Sequence, residues 1–142
     1  LAMSFYGSPR YTMDIDGEIN CEEGLYDELT EYLRKKNINF NLSENISAWS
    51  IVPLPEGYRK RAFMVYQGKG LVIKVLEPVD FIFSKLLRGS EEDLRDILDV
   101  IKKYNISSNE LLEREKLIKY PKDIETFFFK KKFQHLVGLL KS

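Results

Sequence analysis

Residues 7–16 have the sequence Gly-Ser-Pro-Arg-Tyr-Thr-Met-Asp-Ile-Asp, and the alternation from Tyr11 to Ile19 around the aspartates predicts a β-strand. Side chains two residues apart in a strand lie on one face, so Asp14 and Asp16 are expected about 6.5–7 Å apart along the chain. Two carboxylates this close repel one another, unless solvent screens them or a cation bridges them. The pair therefore predicts either a polar strand face or turn, or a Mg²⁺ site at Asp14 and Asp16.

Most of the elements predicted in the first half of the chain are strands. A helical end is expected over residues 1–7, with Gly7 as its stop signal. Apolar residues at helical spacing predict a helix over 21–35, and alternation predicts a strand over 38–42. Further strands are expected over residues 48–54, 62–66 and 71–76, the last two joined by a glycine-containing hairpin turn.

The second half of the chain is predicted to be helical. Pro78 suits the first position of a helix that runs to about residue 87. Ser90 and Asp93 have the spacing of an N-terminal cap for a helix over 91–104. Two more helices are expected, one from a serine cap at 107 or 108 to about 119 and one from Pro121 to about 140. The fold class is α+β, with a core of strands and flanking helices over 1–77 and a mostly helical portion over 78–142, packed as one continuous domain.

The charge balance gives no overall attraction to polyanions. The 142 residues include 22 Lys and Arg and 22 Asp and Glu, so nucleic acid or an anionic membrane would need a local basic cluster. The single cysteine, Cys21, allows no internal disulfide, and the single histidine, His135, gives little support for a zinc site or a catalytic triad. No window approaches ~18 apolar residues, and the N-terminus has no signal-peptide pattern. We therefore expect a cytoplasmic protein without membrane association.

The segment from Gly7 to Asp16 resembles the Y-G-x-P-R-x-T-x-D-I-D segment of the nucleotidyltransferase superfamily, which has the DNA polymerase beta-like nucleotidyltransferase fold. It is most similar to the uncharacterised branch that includes the AbiEii-like abortive-infection toxins. The resemblance implies a mixed β-sheet with flanking helices, with Asp14 and Asp16 as the catalytic pair that binds Mg²⁺ or Mn²⁺. It also implies transfer of a nucleoside monophosphate from a nucleoside triphosphate (NTP) to a hydroxyl of RNA, protein or a small molecule. The toxin-type branch implies a toxin–antitoxin setting with an antitoxin-like protein partner.

Two features depart from the superfamily pattern. A Gly-Gly or Gly-Ser pair normally begins the helix before this strand and contacts the triphosphate, but Gly7-Ser8 lies too close to Asp14 and matches the end of that helix. We therefore expect that the domain begins before Leu1. Many members also carry a third carboxylate on the next strand of the pattern, where this chain has Ala48, Ser50 and Val52. These departures favour an alternative, a catalytically reduced protein that binds nucleotide or a protein partner.

Basic residues near these motifs are candidates for phosphate binding. Arg10 lies four residues before Asp14, where a guanidinium either clamps a metal-bound phosphate or pairs with a neighbouring carboxylate. Thr12 lies on the same strand face and is a supporting residue that can hydrogen-bond locally. Arg61 ends a P-x-G-Y-x-x-R turn that resembles a superfamily landmark, and the basic run over 59–61 is either a phosphate site or a solvated turn.

The first helix of the second half resembles the superfamily segment P-x-D-x-x-x-x-K-L. By this resemblance Lys85 reaches the nucleotide phosphates, and its apolar neighbours require that it be functional or paired. Asp80 is expected to cap or brace the start of the helix. Asp93 and Asp96 lie on one face of the next helix, where they either brace Lys85 or Arg88 or form an ordinary acidic helix start.

Residues 127–133, Phe-Phe-Phe-Lys-Lys-Lys-Phe, form the most conspicuous stretch beyond the resemblance. A basic, aromatic helix can bind nucleic acid or a partner. The simpler interpretation places the aromatic side chains on the core face of the last helix and the lysines in solvent.

Overall fold

The computed structural model describes residues 2–8 and 14–142 and divides the chain into two compact units, Leu1–Trp49 and Ser50–Ser142. Both helices and strands are present, and the C-terminal half is mostly helical, which confirms the predicted α+β class. The division predicted near residue 77 falls inside the second unit and stays a prediction.

The first unit contains a strand–helix–strand arrangement. Helix α1 (Ala2–Phe5) is followed by a turn that includes Gly7, whose φ of 85° is the left-handed conformation typical of a helix stop. Strand β1 (Asp14–Glu18), helix α2 (Glu23–Lys35) and strand β2 (Asn39–Ser43) follow. The two strands pair in parallel, and α2 supplies the crossover connection that parallel neighbours require.

The strand predicted over residues 48–54 is absent from the described chain, so this prediction is wrong. Residues Ile46–Trp49 form a 3-10 helix, and bends follow it. Backbone amides that a strand ladder would need donate to local side chains instead. The Ser47 amide donates to Asn45, and the Val52 amide donates to Ser50. The prolines at 53 and 55 have no amide hydrogen to donate, so a ladder could not continue through them.

The second unit combines a hairpin with a helical bundle. Its antiparallel strands pair from Phe63 opposite Val75 to Gly68 opposite Leu71, with a β-bulge between Met64 and Tyr66. The elements of this unit are α3 (Tyr58–Arg61), β3 (Phe63–Gly68), β4 (Leu71–Val75), α4 (Pro78–Leu86), α5 (Glu91–Tyr104), α6 (Ser108–Glu115) and α7 (Ile124–Lys141).

The core of the second unit lies around α4. The side chains of Ile82, Leu86, Ile97 and Leu111 are completely buried and come from α4, α5 and α6. Burial of each such side chain stabilises the fold by roughly 1.5–3 kcal/mol before entropy is counted. A continuous apolar face on α4 therefore organises the helices around it.

Polar caps explain why these helices begin where they do. Ser90 and Ser107 each form a full capping box, with Asp93 and Glu110 as the reciprocal partners. The start of α5 and the serine cap of α6 are therefore confirmed. The last helix begins at Ile124 and not at the predicted Pro121, because the Asp123 side chain accepts from the Glu125 amide and fixes the cap there.

Helix α6 is shorter than predicted and ends at Glu115. Tight backbone turns replace the helical pattern beyond it, since the Leu117 amide donates to the Arg114 carbonyl and the Ile118 amide to the Glu115 carbonyl. None of the described helices has the length and apolar character that a membrane span requires.

Candidate functional site

Asp14 and Asp16 lie on an exposed edge of the first unit. Both side chains are exposed, while Ile15 between them is half-buried, so the two carboxylates share one face of β1. The parallel register places Asp14 opposite Asn39 and Asp16 opposite Asn41. Both asparagines are also exposed. This face therefore presents two carboxylates with two amide groups beside them, and we call these four residues the β1–β2 face.

The ligand chemistry of the β1–β2 face fits a hard divalent cation. Mg²⁺ binds through one or two carboxylates and completes its shell with water and phosphate oxygens. Within residues 2–8 and 14–142, no ion pair to Asp14 or Asp16 is formed. The same ranges contain no cluster of three or more His, Cys, Asp or Glu side chains able to enclose a metal ion. The β1–β2 face therefore suits a cation that is already bound to phosphate oxygens. It is less suited to a free cation, which would need more ligands from the protein.

Glu18 lies on the same side of β1 but has a structural partner. Its Oε2 accepts from the Ile46 amide at 3.1 Å, which holds the start of the 3-10 helix against the end of the strand. This contact fixes the chain after β2. The carboxylates of Asp14 and Asp16 have no comparable protein contact among the described residues.

Arg10 and Thr12 lie outside the described residues, so their proposed roles stay predictions. The turn before them is described as far as Ser8, whose amide donates to the Met3 carbonyl at 2.9 Å. That contact, together with the left-handed Gly7, ends α1 as predicted.

Arg61 belongs to a buried ionic cluster in the second unit. Its Nε donates to Asp80 Oδ2 at 2.8 Å and its Nη2 to Asp80 Oδ1 at 3.0 Å, a bidentate pair. Its guanidinium also donates to the backbone carbonyls of Pro55 and Glu56. A Cβ at Gly57, which has a φ of 82°, would lie 2.9 Å from Arg61 Nη1, so glycine keeps this space open for the guanidinium.

Asp80 is completely buried and also accepts a hydrogen bond from a second arginine, Arg114 of α6. Arg114 Nη1 donates to Asp80 Oδ1 at 2.6 Å and also to Glu77. Burial lowers the pKa of Arg114, but the hydrogen bonds that it donates to Asp80 and Glu77 and the charges of these carboxylates raise the pKa by more, so the guanidinium stays charged. Glu77, and not Asp80, caps α4, because its Oε1 accepts from the Asp80 amide. Asp80 therefore braces the helix start, one of the two roles expected for it.

Lys85 lies in a second ionic cluster, between α4 and α5. Its Nζ is 3.3 Å from Asp93 Oδ1 and 3.5 Å from Asp96 Oδ2, and its side chain is 26% exposed. Asp93 also forms a bidentate pair with Arg88, with both distances 2.6 Å. Asp93 and Asp96 thus brace Lys85, as the sequence pattern allowed.

The electrostatics of this second cluster favour the ionised carboxylate. Burial raises the pKa of Asp93, but hydrogen bonds from Arg88 and Ser90 and the charge of Lys85 lower it by more, to well below its usual range. Asp93 therefore remains negative and holds Lys85 in place.

Comparison with known families decides the affiliation of the chain. A family model described as a nucleotidyltransferase of unknown function, DUF6036, matches residues 3–137. The chain belongs to this family. No curated protein and no solved structure gives a significant match. Membership of this nucleotidyltransferase family agrees with the resemblance around Asp14 and Asp16, and it indicates nucleotidyltransferase activity without naming an acceptor.

Sequence reasoning missed two parts of this DUF6036 chain that bear on the candidate site. No sequence pattern indicated a role for Arg114, because it is an isolated basic residue in an acidic helix and lies 34 residues from its partner Asp80. Asn39 and Asn41 were visible as the polar positions of an alternating strand. Only the parallel register shows that they stand beside the aspartates.

Proposed function

We propose that this chain transfers a nucleoside monophosphate from a Mg²⁺-bound NTP to a hydroxyl acceptor, with Asp14 and Asp16 as the catalytic, metal-binding pair. The observation that carries the proposal is the β1–β2 face, where both carboxylates are exposed on one side of a strand and have no cation partner among the described residues. Family membership over residues 3–137 supports the reaction class.

In this reaction the protein contributes mainly by positioning the reactants and neutralising phosphate charge, and less by forming a covalent intermediate. Asp14 and Asp16 orient the cation and, through it, the triphosphate. When bound, Mg²⁺ (or Mn²⁺) neutralises phosphate charge and polarises the reacting phosphoryl group. Asn39 and Asn41 can hydrogen-bond the water or phosphate oxygens around the ion, because their amide groups flank both carboxylates.

Among the proposed phosphate-binding cations, Lys85 is held less tightly by carboxylates than Arg61. The two side chains are equally exposed, at 26%, but the Lys85 contacts with Asp93 and Asp96, at 3.3 and 3.5 Å, are longer than the 2.8 Å contact of Arg61 with Asp80. Arg61 donates to a buried carboxylate and to two backbone carbonyls. We therefore propose phosphate binding for Lys85 and Arg10 and a bracing role for Arg61.

The acceptor is proposed from the toxin-type resemblance alone. This resemblance makes an RNA end or a protein side chain the first acceptor to screen, and small-molecule hydroxyls come after them. It also makes an antitoxin-like protein the first partner to seek.

The first test is calorimetric titration with an NTP in the presence and absence of Mg²⁺. The test variant is Asp14→Asn/Asp16→Asn. The matched control is Asp27→Asn/Asp99→Asn, which removes the same charge from two exposed helical positions. We expect binding that requires Mg²⁺, survives in the control and falls at least about 10-fold in the test variant.

Transfer itself is measured with an NTP labelled on its α-phosphate and a mixture of RNA and protein acceptors. We expect covalent label in the wild type and the control, and none in the Asp14→Asn/Asp16→Asn variant. Label that persists in that variant would refute the assignment of these aspartates.

A second candidate function is nucleotide or partner binding without catalysis. It is favoured by the ionic clusters, because Arg61 and Lys85 are already paired with carboxylates of their own unit. This candidate predicts Mg²⁺-dependent NTP binding without transfer to any acceptor in the screen.

A further inference from the structure

Helix α7 presents aromatic rings on two opposite faces. Phe129 and Phe133 are 2% exposed and pack on Phe83, with ring centroids 6.2 and 5.5 Å away. Phe127 and Phe128 are about half exposed, and their rings contact each other edge to face with centroids 5.7 Å apart. The prediction that these aromatics form the core face is therefore correct for Phe129 and Phe133 and wrong for Phe127 and Phe128.

Two of the three lysines lie beside aromatic rings, one beside the exposed Phe127 and one beside the half-buried Tyr120. Lys131 Nζ lies 4.6 Å from the centroid of Phe127, and Lys130 Nζ lies 4.3 Å from that of Tyr120. Lys132 differs, since its Nζ donates to the Leu87 and Arg88 carbonyls at the end of α4. We call Phe127, Phe128, Lys130 and Lys131 the aromatic–lysine patch.

Beyond its first turn, helix α7 carries no acidic side chain of its own, and Glu115 accepts from the hydroxyl of Tyr120, the ring beside Lys130, at 2.9 Å. No acidic residue occurs from Thr126 to Lys141. The nearest acids along the chain are Asp123 and Glu125 in the first turn, where Asp123 accepts from the Glu125 amide as the helix cap. An anionic partner would therefore meet the lysines along the helix with little opposing charge beyond its first turn.

We propose that the aromatic–lysine patch binds single-stranded nucleic acid. Unpaired bases offer flat faces that stack on exposed aromatic rings, and the backbone phosphates complement the two ammonium groups. A duplex hides its base faces. A membrane would favour a broad apolar helix face, but the broad apolar face of α7 is buried in the protein core. Binding at this patch uses neither Asp14 nor Asp16 and needs no Mg²⁺, so it stands apart from the proposed nucleotidyl transfer.

The test is fluorescence anisotropy with a labelled single-stranded RNA of about 12 nucleotides, a length within the range of such sites. Phe127→Ala and Phe128→Ala should each weaken binding about 5-fold or more, because they remove a stacking surface. Lys130→Gln/Lys131→Gln should reduce the slope of log affinity against log salt by about 1.4, or about 0.7 for each lysine.

The matched control is Tyr32→Ala/Lys36→Gln, which removes another exposed aromatic ring and the lysine 5.7 Å from its centroid. It should leave RNA affinity unchanged. All the substituted aromatic side chains are exposed, so the melting temperature of each variant should match that of the wild type.

A single-stranded DNA of the same sequence should bind with similar affinity, and the corresponding duplex should bind more weakly. Absence of RNA binding at low salt would overturn the proposal, as would RNA binding that neither phenylalanine variant weakens. Patch-dependent binding to phosphatidylserine vesicles without binding to single strands would also overturn it, and would identify a membrane-surface site.

Discussion

Removal of the buried carboxylate of Asp80 gives the sharpest test of the ionic cluster in the second unit. The Asp80 side chain is 0% exposed and accepts charged hydrogen bonds from Arg61 at 2.8 and 3.0 Å and from Arg114 at 2.6 Å. In Asp80→Ala the two guanidinium groups remain at sites where their side chains are 26% and 17% exposed. Among residues 2–8 and 14–142, Glu77 is then the remaining carboxylate paired with Arg114.

The magnitude follows from the cost of leaving buried charges without a counter-ion. Removing one partner of a buried ion pair typically costs about 3–5 kcal/mol. The remaining contact with Glu77 and the partial exposure of Arg61 place the expected loss at the lower end, about 3 kcal/mol. For a chain of this size each kcal/mol lowers the melting temperature by roughly 2–4 °C, so the midpoint should fall by about 6–12 °C.

The assay is urea denaturation followed by far-ultraviolet circular dichroism, with a thermal melt in parallel. Asp99→Ala is the matched control, since it removes an exposed aspartate from α5 and should change stability by less than about 0.5 kcal/mol. A double-mutant cycle between Asp80→Ala and Arg114→Ala should give a coupling of about 1–3 kcal/mol. A loss below about 1 kcal/mol in Asp80→Ala, or no coupling to Arg114, would refute the reasoning.

Two further predictions concern the other cluster and the β1–β2 face. Because the folded-state pKa of Asp93 is depressed, its contribution to the free energy of unfolding is full above its ordinary value of 3.8 and is lost as pH falls further towards the folded-state pKa. In Asp93→Asn the acid limb of a stability–pH profile should be shallower, and an unchanged limb would contradict the assignment. Asn39→Ala/Asn41→Ala should weaken Mg²⁺-dependent NTP binding up to about 10-fold in calorimetry without lowering the melting temperature, because both side chains are exposed.

The features that could be predicted from the sequence are those set by neighbouring residues. The capping box at Ser90 places its two partners three residues apart, so the start of α5 was predictable to the residue. The period of two around Asp14 and Asp16 likewise placed both carboxylates on one face. In these cases the interacting groups lie within one turn or one strand, and the local pattern already contains the geometry.

Two kinds of feature could not be predicted. In one, local side chains compete with a strand for backbone amides; in the other, the partners lie far apart along the chain. The apolar run over 48–54 has strand composition, but Ser50 and two prolines remove amide groups that a strand would need. The cluster at Asp80 depends on Arg114, brought from α6 by the packing of helices around α4. No spacing rule connects residues so far apart, because their contact exists only after the core has formed.

The four aspartates that the sequence offers as site residues fall into two electrostatic classes, and the contrast bears directly on the proposed function. Asp80 and Asp93 are buried and neutralised by arginine and lysine, so their oxygen lone pairs are already used. Asp14 and Asp16 are exposed on one strand face, where no described residue balances their charge. The two carboxylates repel one another, and a cation bound between them would relieve that repulsion. A cation at Asp80 would first have to displace two guanidinium groups. The electrostatics therefore favour the β1–β2 face over the buried clusters as the location of the proposed metal site.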